Sequence, residues 1–212
     1  MILLSEIVSE IKNDLNSGMN YNDSRWDDEY IEAKIHNARA TLIGQYMMKL
    51  GKFINDSWVQ TLDLRFANRE KDGNIVTFEC PDVISIDGQS DGFVYVGHVN
   101  GFKPFLRIRK GYSTLTRHSL FARKKDIMWD YKHMEQNKAL LYFYNNNDLT
   151  YITVRALFNN PTQIPNFDKE VDHYPVDANL KREIIELVTA DLMRKTQRPV
   201  EITNTSQTEI PR

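Results

Sequence analysis

The chain has 212 residues, a formal net charge of −2, 41% hydrophobic and 11% aromatic residues, and one cysteine, Cys80. That length suits one large domain or one domain with an insertion, and the composition excludes a disordered chain. The near-neutral charge excludes binding of nucleic acid by overall charge, and one cysteine excludes an intramolecular disulfide, as expected in a reduced intracellular compartment.

The opening MILLSEIVSEIKNDL lacks a basic leader, and Glu6 and Glu10 interrupt its apolar residues, so it does not read as a signal peptide. Leu4, Ile7, Val8, Ile11 and Leu15 fall on one helical stripe. Asn16, Ser17 and Gly18 end that helix. A second, longer helix is capped by Ser24 or Asp27, with Asp28 and Glu29 in the first turn where the dipole favours acids. Its stripe is Ile31, Ile35, Ala38, Leu42 and Tyr46, and Gly51 is its stop.

The period then changes to two. In WVQTLDLRF, Leu62, Leu64 and Phe66 alternate with Asp63 and Arg65, the pattern of a half-buried strand. GNIVTFE and DGFVYVGHV read as further strands. Two β-rich runs flank Asn145, Asn146, Asn147 and Asp148 in KALLYFYNNNDLTYITVRALF, which reads as a hairpin. Ahead of that pair, RKGYSTLTRHSLFARKKDIMWDYKHMEQ reads as irregular, with a short helix around Thr116 to Phe121. Pro161 and Pro165 break the structure after the last strand. A final helix runs from an Asp177 cap to about Arg198, with Leu180, Ile184, Leu187, Val188 and Leu192 as its apolar face.

The fold class is therefore α+β. A helical bundle forms from the N-terminal helix pair and the C-terminal helix, with an antiparallel β region inserted and an extended C-terminal arm. The expected division is 1–57 with 166–198 as the helical body, 58–165 as the β-rich insertion and 199–212 as the arm.

Motifs of chemistry are absent from the sequence. There is no phosphate-binding loop, no H-E-x-x-H pair and no nucleophile elbow, so no catalytic residue, metal ligand or cofactor is assigned and an enzyme is not expected. Asp168, Glu170, Asp172, His173 and Asp177 could hold a hard cation, but an acidic loop before a helix explains them better. Residues 101–125 carry eight bases and no acid, while 1–60 hold 9 acids against 6 bases. Arg107, Arg109, Lys110, Arg123, Lys124 and Lys125 are therefore candidate contacts for DNA phosphates or an acidic partner surface, against the alternative of a solvated loop. Tyr112 and Phe121, among these bases, either stack on nucleic-acid bases or anchor the loop to the sheet. ALLYFYN is better read as core and cross-strand packing than as an RNA-binding strand.

Three segments carry a family resemblance. IHNARATLIGQYMMKL, with Ile35, Asn37, Ala38 and Arg39, resembles the second helix of podophage head–tail connector proteins, the adaptor or tail-tubular family. VRALFNNP, with Val154, Phe158 and Pro161, resembles that family's exit from its last strand. YPVDANLKREIIELVTADLM, with Tyr174, Pro175 and Asp177, resembles its step into the terminal helix. The wording is most similar to the ring proteins of crAss-like phages of gut Bacteroidetes. The resemblance covers the two ends, about half of the chain, and not residues 67–140.

The resemblance implies a non-enzymatic virion protein, assembled in the host cytoplasm. Its subunits form a ring, dodecameric in the family, between portal and tail. The ring extends the DNA channel without reading sequence and docks tail proteins. In PVEITNTSQTEIPR, Val200, Ile202 and Ile210 are the candidate assembly arm, which adds a strand to a neighbour, lies on the portal or stays disordered. The competing reading is a nucleic-acid-binding module built on residues 101–125.

Overall fold

The computed structural model describes residues 1–16, 26–50, 54–65, 68–69, 75–85, 92–99, 101, 103–108, 127–134, 138–144 and 149–197. Among them are three α-helices: α1 (Leu4–Leu15), α2 (Asp28–Leu50) and α3 (Ala178–Gln197). The described residues also form eight strands: β1 (Gln60–Arg65), β2 (Asn68–Arg69), β3 (Ile75–Pro81), β4 (Phe93–Gly97), β5 (Leu106–Arg107), β6 (Met128–Met134), β7 (Lys138–Tyr144) and β8 (Tyr151–Ala156). The architecture is α+β.

α1 forms where its stripe predicts. Leu4, Ile7, Val8 and Ile11 are buried, and Glu6 closes the first turn by accepting from the Leu3 backbone N–H at 3.2 Å. This is the reciprocal half of a capping box, satisfying a donor that the helix start leaves free. α2 buries Ile31, Ile35, Ala38, Ile43 and Met47, while Leu42 and Tyr46 are half-buried. α3 opens on Asp177, whose Oδ1 accepts from the Leu180 N–H at 2.8 Å.

The face of α3 differs from expectation at one position. Leu180, Ile184, Val188 and Leu192 are buried, but Leu187 is 47% exposed. The four buried residues repeat every fourth position and meet α1 and α2. Leu187 lies about 100° round the helix from Val188, at the rim of a groove with Lys34 and Thr41 of α2. The three helices share one apolar core with Trp58, Ile84, Leu157, Tyr174 and Val176.

The strands form two sheets. One has the order β1-β8-β4 and the other β2-β3-β7-β6-β5. Their inner faces share a second core, in which Leu62, Val96, Ile152 and Val154 meet Phe78, Trp129, Leu141 and Phe143. Phe143 makes edge contacts with Phe78 and Phe105 at centroid distances of 5.4 and 5.8 Å, the arrangement that aromatic quadrupoles favour.

Three expectations for the β region are corrected. β7 and β8 do not form a hairpin, because they lie in different sheets. β7 already has β3 on one edge and β6 on the other, so no edge remains for β8. β8 instead pairs with β1 and β4. The stretch read as irregular contains β6, which pairs with β7 from Met134↔Lys138 to Met128↔Tyr144. That register leaves three residues between the strands, a common loop length for a hairpin. The second sheet is also mixed, not purely antiparallel, since β5 runs parallel to β6. The short helix expected at 116–121 lies outside the described residues.

The two cores meet at the end of β8. Ala156 and Phe158 face the sheet core, whereas Leu157 between them faces the helical core. Its backbone is tied on both sides: Ile84 N–H donates to Leu157 O and Leu157 N–H donates to Gly92 O, each at 2.9 Å. Glycine is needed at 92, because a Cβ there would lie 2.9 Å from the Leu157 Cβ.

Candidate functional site

The three segments that carry the family resemblance converge on one side chain. Arg39 of α2 is fully buried, with 0% exposure. Its Nε donates to Pro175 O at 2.9 Å, Nη1 to Phe158 O at 2.8 Å and Nη2 to Trp58 O at 2.9 Å. The guanidinium carbon is 5.9 Å from the centroid of the Tyr174 ring. One planar fork therefore holds α2, the approach to β1, the exit from β8 and the step into α3. Arginine suits this role because its five donors have fixed directions and its charge is weakly hydrated.

The cation is balanced by dipoles and a ring face, with carbonyl oxygens as its three hydrogen-bond acceptors. Burial lowers the Arg39 pKa to about 10, so it stays charged at neutral pH. Two neighbours complete the junction. His36 Nδ1 and the Tyr174 hydroxyl are hydrogen-bonded at 2.8 Å. Burial, helped by Arg39 and Lys169, pushes the His36 pKa down to about 4, so the imidazole is neutral at neutral pH. Burial also raises the Tyr174 pKa, which keeps its hydroxyl protonated. Tyr174 N–H in turn donates to Ile2 O at 2.8 Å, which ties the approach to α1 into the same knot.

Asp177 is the second anchor. One of its oxygens caps α3, and the other accepts from Trp58 Nε1 at 2.9 Å and Asn55 Nδ2 at 3.0 Å. D177A removes a helix cap and leaves a buried indole N–H without its acceptor. It is expected to lower unfolding free energy by about 2–3 kcal/mol, measured by urea denaturation. A loss below about 1 kcal/mol would mean that water replaces the carboxylate.

The expected site residues are only partly placed. Arg107 sits on β5, exposed, with its guanidinium carbon 5.4 Å from the Trp129 ring and 5.2 Å from the Tyr131 ring of β6. Arg109, Lys110, Arg123, Lys124 and Lys125 lie outside the described residues, as do Tyr112 and Phe121 and the arm residues Val200, Ile202 and Ile210.

The other sequence candidates have structural partners. Cys80 is buried, and burial pushes its thiol up to about 12, away from the thiolate that nucleophilic or ligand chemistry needs. Asp168 and Asp172 accept backbone N–H groups of the loop before α3, and His173 bonds the Ile2 backbone. Among the described residues no group of three or more His, Cys, Asp or Glu could hold a metal ion. In ALLYFY, Ala139, Leu141 and Phe143 enter the sheet core. No described helix is long and apolar enough to cross a membrane.

Sequence reasoning singled out Arg39 only as part of a motif. A lone basic residue amid the apolar stripe of α2 was the available signal, and its acceptors come from positions 19 to 136 residues away.

The family model for phage tail ring protein 2 of crAss-like phages matches residues 6–210. No curated protein matches the chain. The match runs from Glu6, within α1, through α3 and includes all three segments that meet at Arg39, and the chain belongs to this phage tail ring protein family, structural components of the virion tail.

Proposed function

We propose that the protein is a ring subunit of the head–tail connector, the neck below the portal. Copies assemble side by side, with no chemistry catalysed, into a ring on the dodecameric plan that the resemblance implies.

 The ring lengthens the channel for DNA without reading its sequence and docks tail proteins on its lower face. Residues 1–57 and 166–198 act as the helical body, 58–165 as a projecting β unit and 199–212 as an assembly arm. The virion neck is its place, after assembly in the host cytoplasm.

The observation that carries this reading is the family match across residues 6–210. The Arg39 junction supports it physically. The best-organised polar cluster among the described residues is spent on joining helices to sheets, which suits a rigid building block. Contact with DNA, portal or a neighbouring subunit is proposed for exposed Arg107, and the same role for Arg109, Lys110, Arg123, Lys124 and Lys125.

Electron microscopy of the purified protein across a concentration series, with light scattering for mass, tests the proposal. Closed rings of one fixed copy number are the expected result. A monomer at every concentration, combined with DNA binding that weakens steeply with salt, would replace it with the nucleic-acid-binding module. Cutting the chain after Arg198 is expected to leave the unfolding transition in place and to shift assembly to higher protein concentration. Unchanged assembly would remove residues 199–212 from the ring-building role.

A further inference from the structure

We infer that the loop 168–172 of one copy seats in the groove between α2 and α3 of the next, with Val171 over the groove's apolar residues and Glu170 against Arg194. This rests on the ring reading and names the two surfaces that meet. The groove has a volume of about 370 Å³. Ala38 and Val188, both buried, form its floor, and Leu187 and Ala190 are exposed along its α3 side. Asn37 and Thr41, exposed on α2, give it a polar rim. An exposed apolar strip with a polar rim is the pattern of a surface that a partner covers.

Charge identifies the occupant. The groove is also lined by Lys34, Asp191 and Arg194. Asp191, the one acid among the lining residues, is held by Lys34 at 2.8 Å and by Lys195 beside the groove at 3.4 Å. Three bases therefore stand against one acid. The loop has the opposite balance: Asp168, Glu170 and Asp172 stand against Lys169, which pairs with Glu32 of its own α2. Neither Glu170 nor Arg194 has an ion-pair partner among the described residues. Val171, next to Glu170, is 61% exposed and matches the apolar strip. The loop is already shaped, because Asp168 accepts from the Asp172 N–H at 2.8 Å and from the Glu170 N–H at 2.9 Å, so docking orders little chain.

Helix geometry decides which copy supplies the loop. The Lys169–Glu32 pair fixes the loop on the Glu32 side of α2. Lys34, Asn37 and Thr41, the exposed groove residues of α2, lie roughly 140–200° round the helix from Glu32. Each copy thus carries the loop and the groove on opposite sides of one helix, and its own loop does not reach its own groove. Two different surfaces that meet between copies make a head-to-tail contact, the kind that repeats round a ring.

Charge reversal in the full-length chain tests this directly, with assembly followed by light scattering. E170R and R194E each set like charges against one another, and each is expected to raise the protein concentration needed for assembly by roughly tenfold or more. E170R/R194E restores opposite charges in every contact and is expected to bring that concentration back toward the parent's. V171D reads the apolar half of the contact and is expected to raise it as well. All three side chains are exposed, so urea unfolding of the variants should stay close to that of the parent. Single variants that assemble at the parent's concentration would overturn the inference. So would a double variant that assembles no better than the singles, or V171D that assembles like the parent. Failure of the ring reading is distinguishable, because the unsubstituted chain would then form no rings in micrographs, and the contact would fall with it.

Discussion

Replacing Arg39 with methionine is expected to lower unfolding free energy by about 3–5 kcal/mol, enough to leave a marginally stable domain unfolded. Methionine fills much of the same volume, so lost packing is the smaller part. The larger part is three carbonyl oxygens, of Trp58, Phe158 and Pro175, left buried without a donor. Each such group costs about 1–3 kcal/mol. Removing a desolvated cation returns some of this. The return is incomplete, because the carbonyls belong to the backbone and no single substitution makes them apolar. R39K tests the fork itself. It keeps the charge, but one ammonium cannot point along three fixed directions, so it should recover less than half of the loss. Urea denaturation followed by tryptophan fluorescence measures both, with Trp58 as the reporter in the junction. If R39M unfolded at the urea concentration of the parent, the junction would not be what joins the two cores.

Acidification should weaken the fold well before the carboxylates titrate. His36 is neutral and buried, with a pKa lowered from 6.5 to about 4. Between these values the unfolded chain binds a proton that the folded chain refuses, so stability rises with pH across this window. The contribution of neutral His36 is complete above pH 6.5 and is lost as pH falls to about 4. The lowered pKa corresponds to about 3 kcal/mol over the full window. The charges facing the ring, Arg39 and Lys169, act in the same direction as burial. H36Q keeps a hydrogen-bonding group toward Tyr174 and removes the titration. Its stability should stay flat from pH 6.5 to 5, where the parent declines. Parallel curves for the two proteins would assign the acid sensitivity to other groups.

Both expectations concern residues whose roles the sequence showed only faintly. Arg39 follows Ile35 by four residues and so falls on the apolar stripe of α2, where local periodicity supplies no partner for its charge, and His36 beside that stripe shows no partner in the sequence either. They are buried because the chain returns to them three times, at Trp58, Phe158 and the Tyr174–Pro175 step. Asp177 was legible as a helix cap, since capping is local. Its bonds to Trp58 and Asn55 were not, since they join positions over a hundred residues apart.

The sequence by itself determined the three helices, most of the strands, the α+β class and the family. Each of these rests on periodicity, caps or local motifs, which act over one or two turns of chain. Only the tertiary structure decided which strands pair. The Asn145–Asp148 sequence permits a hairpin, but β3 and β6 take both edges of β7, and β8 pairs in the other sheet. The same competition left Leu187 at a groove rim, because α1 and α2 meet the Leu180, Ile184, Val188 and Leu192 line. Edge occupancy and helix contact are properties of the assembled cores, and no local pattern contains them.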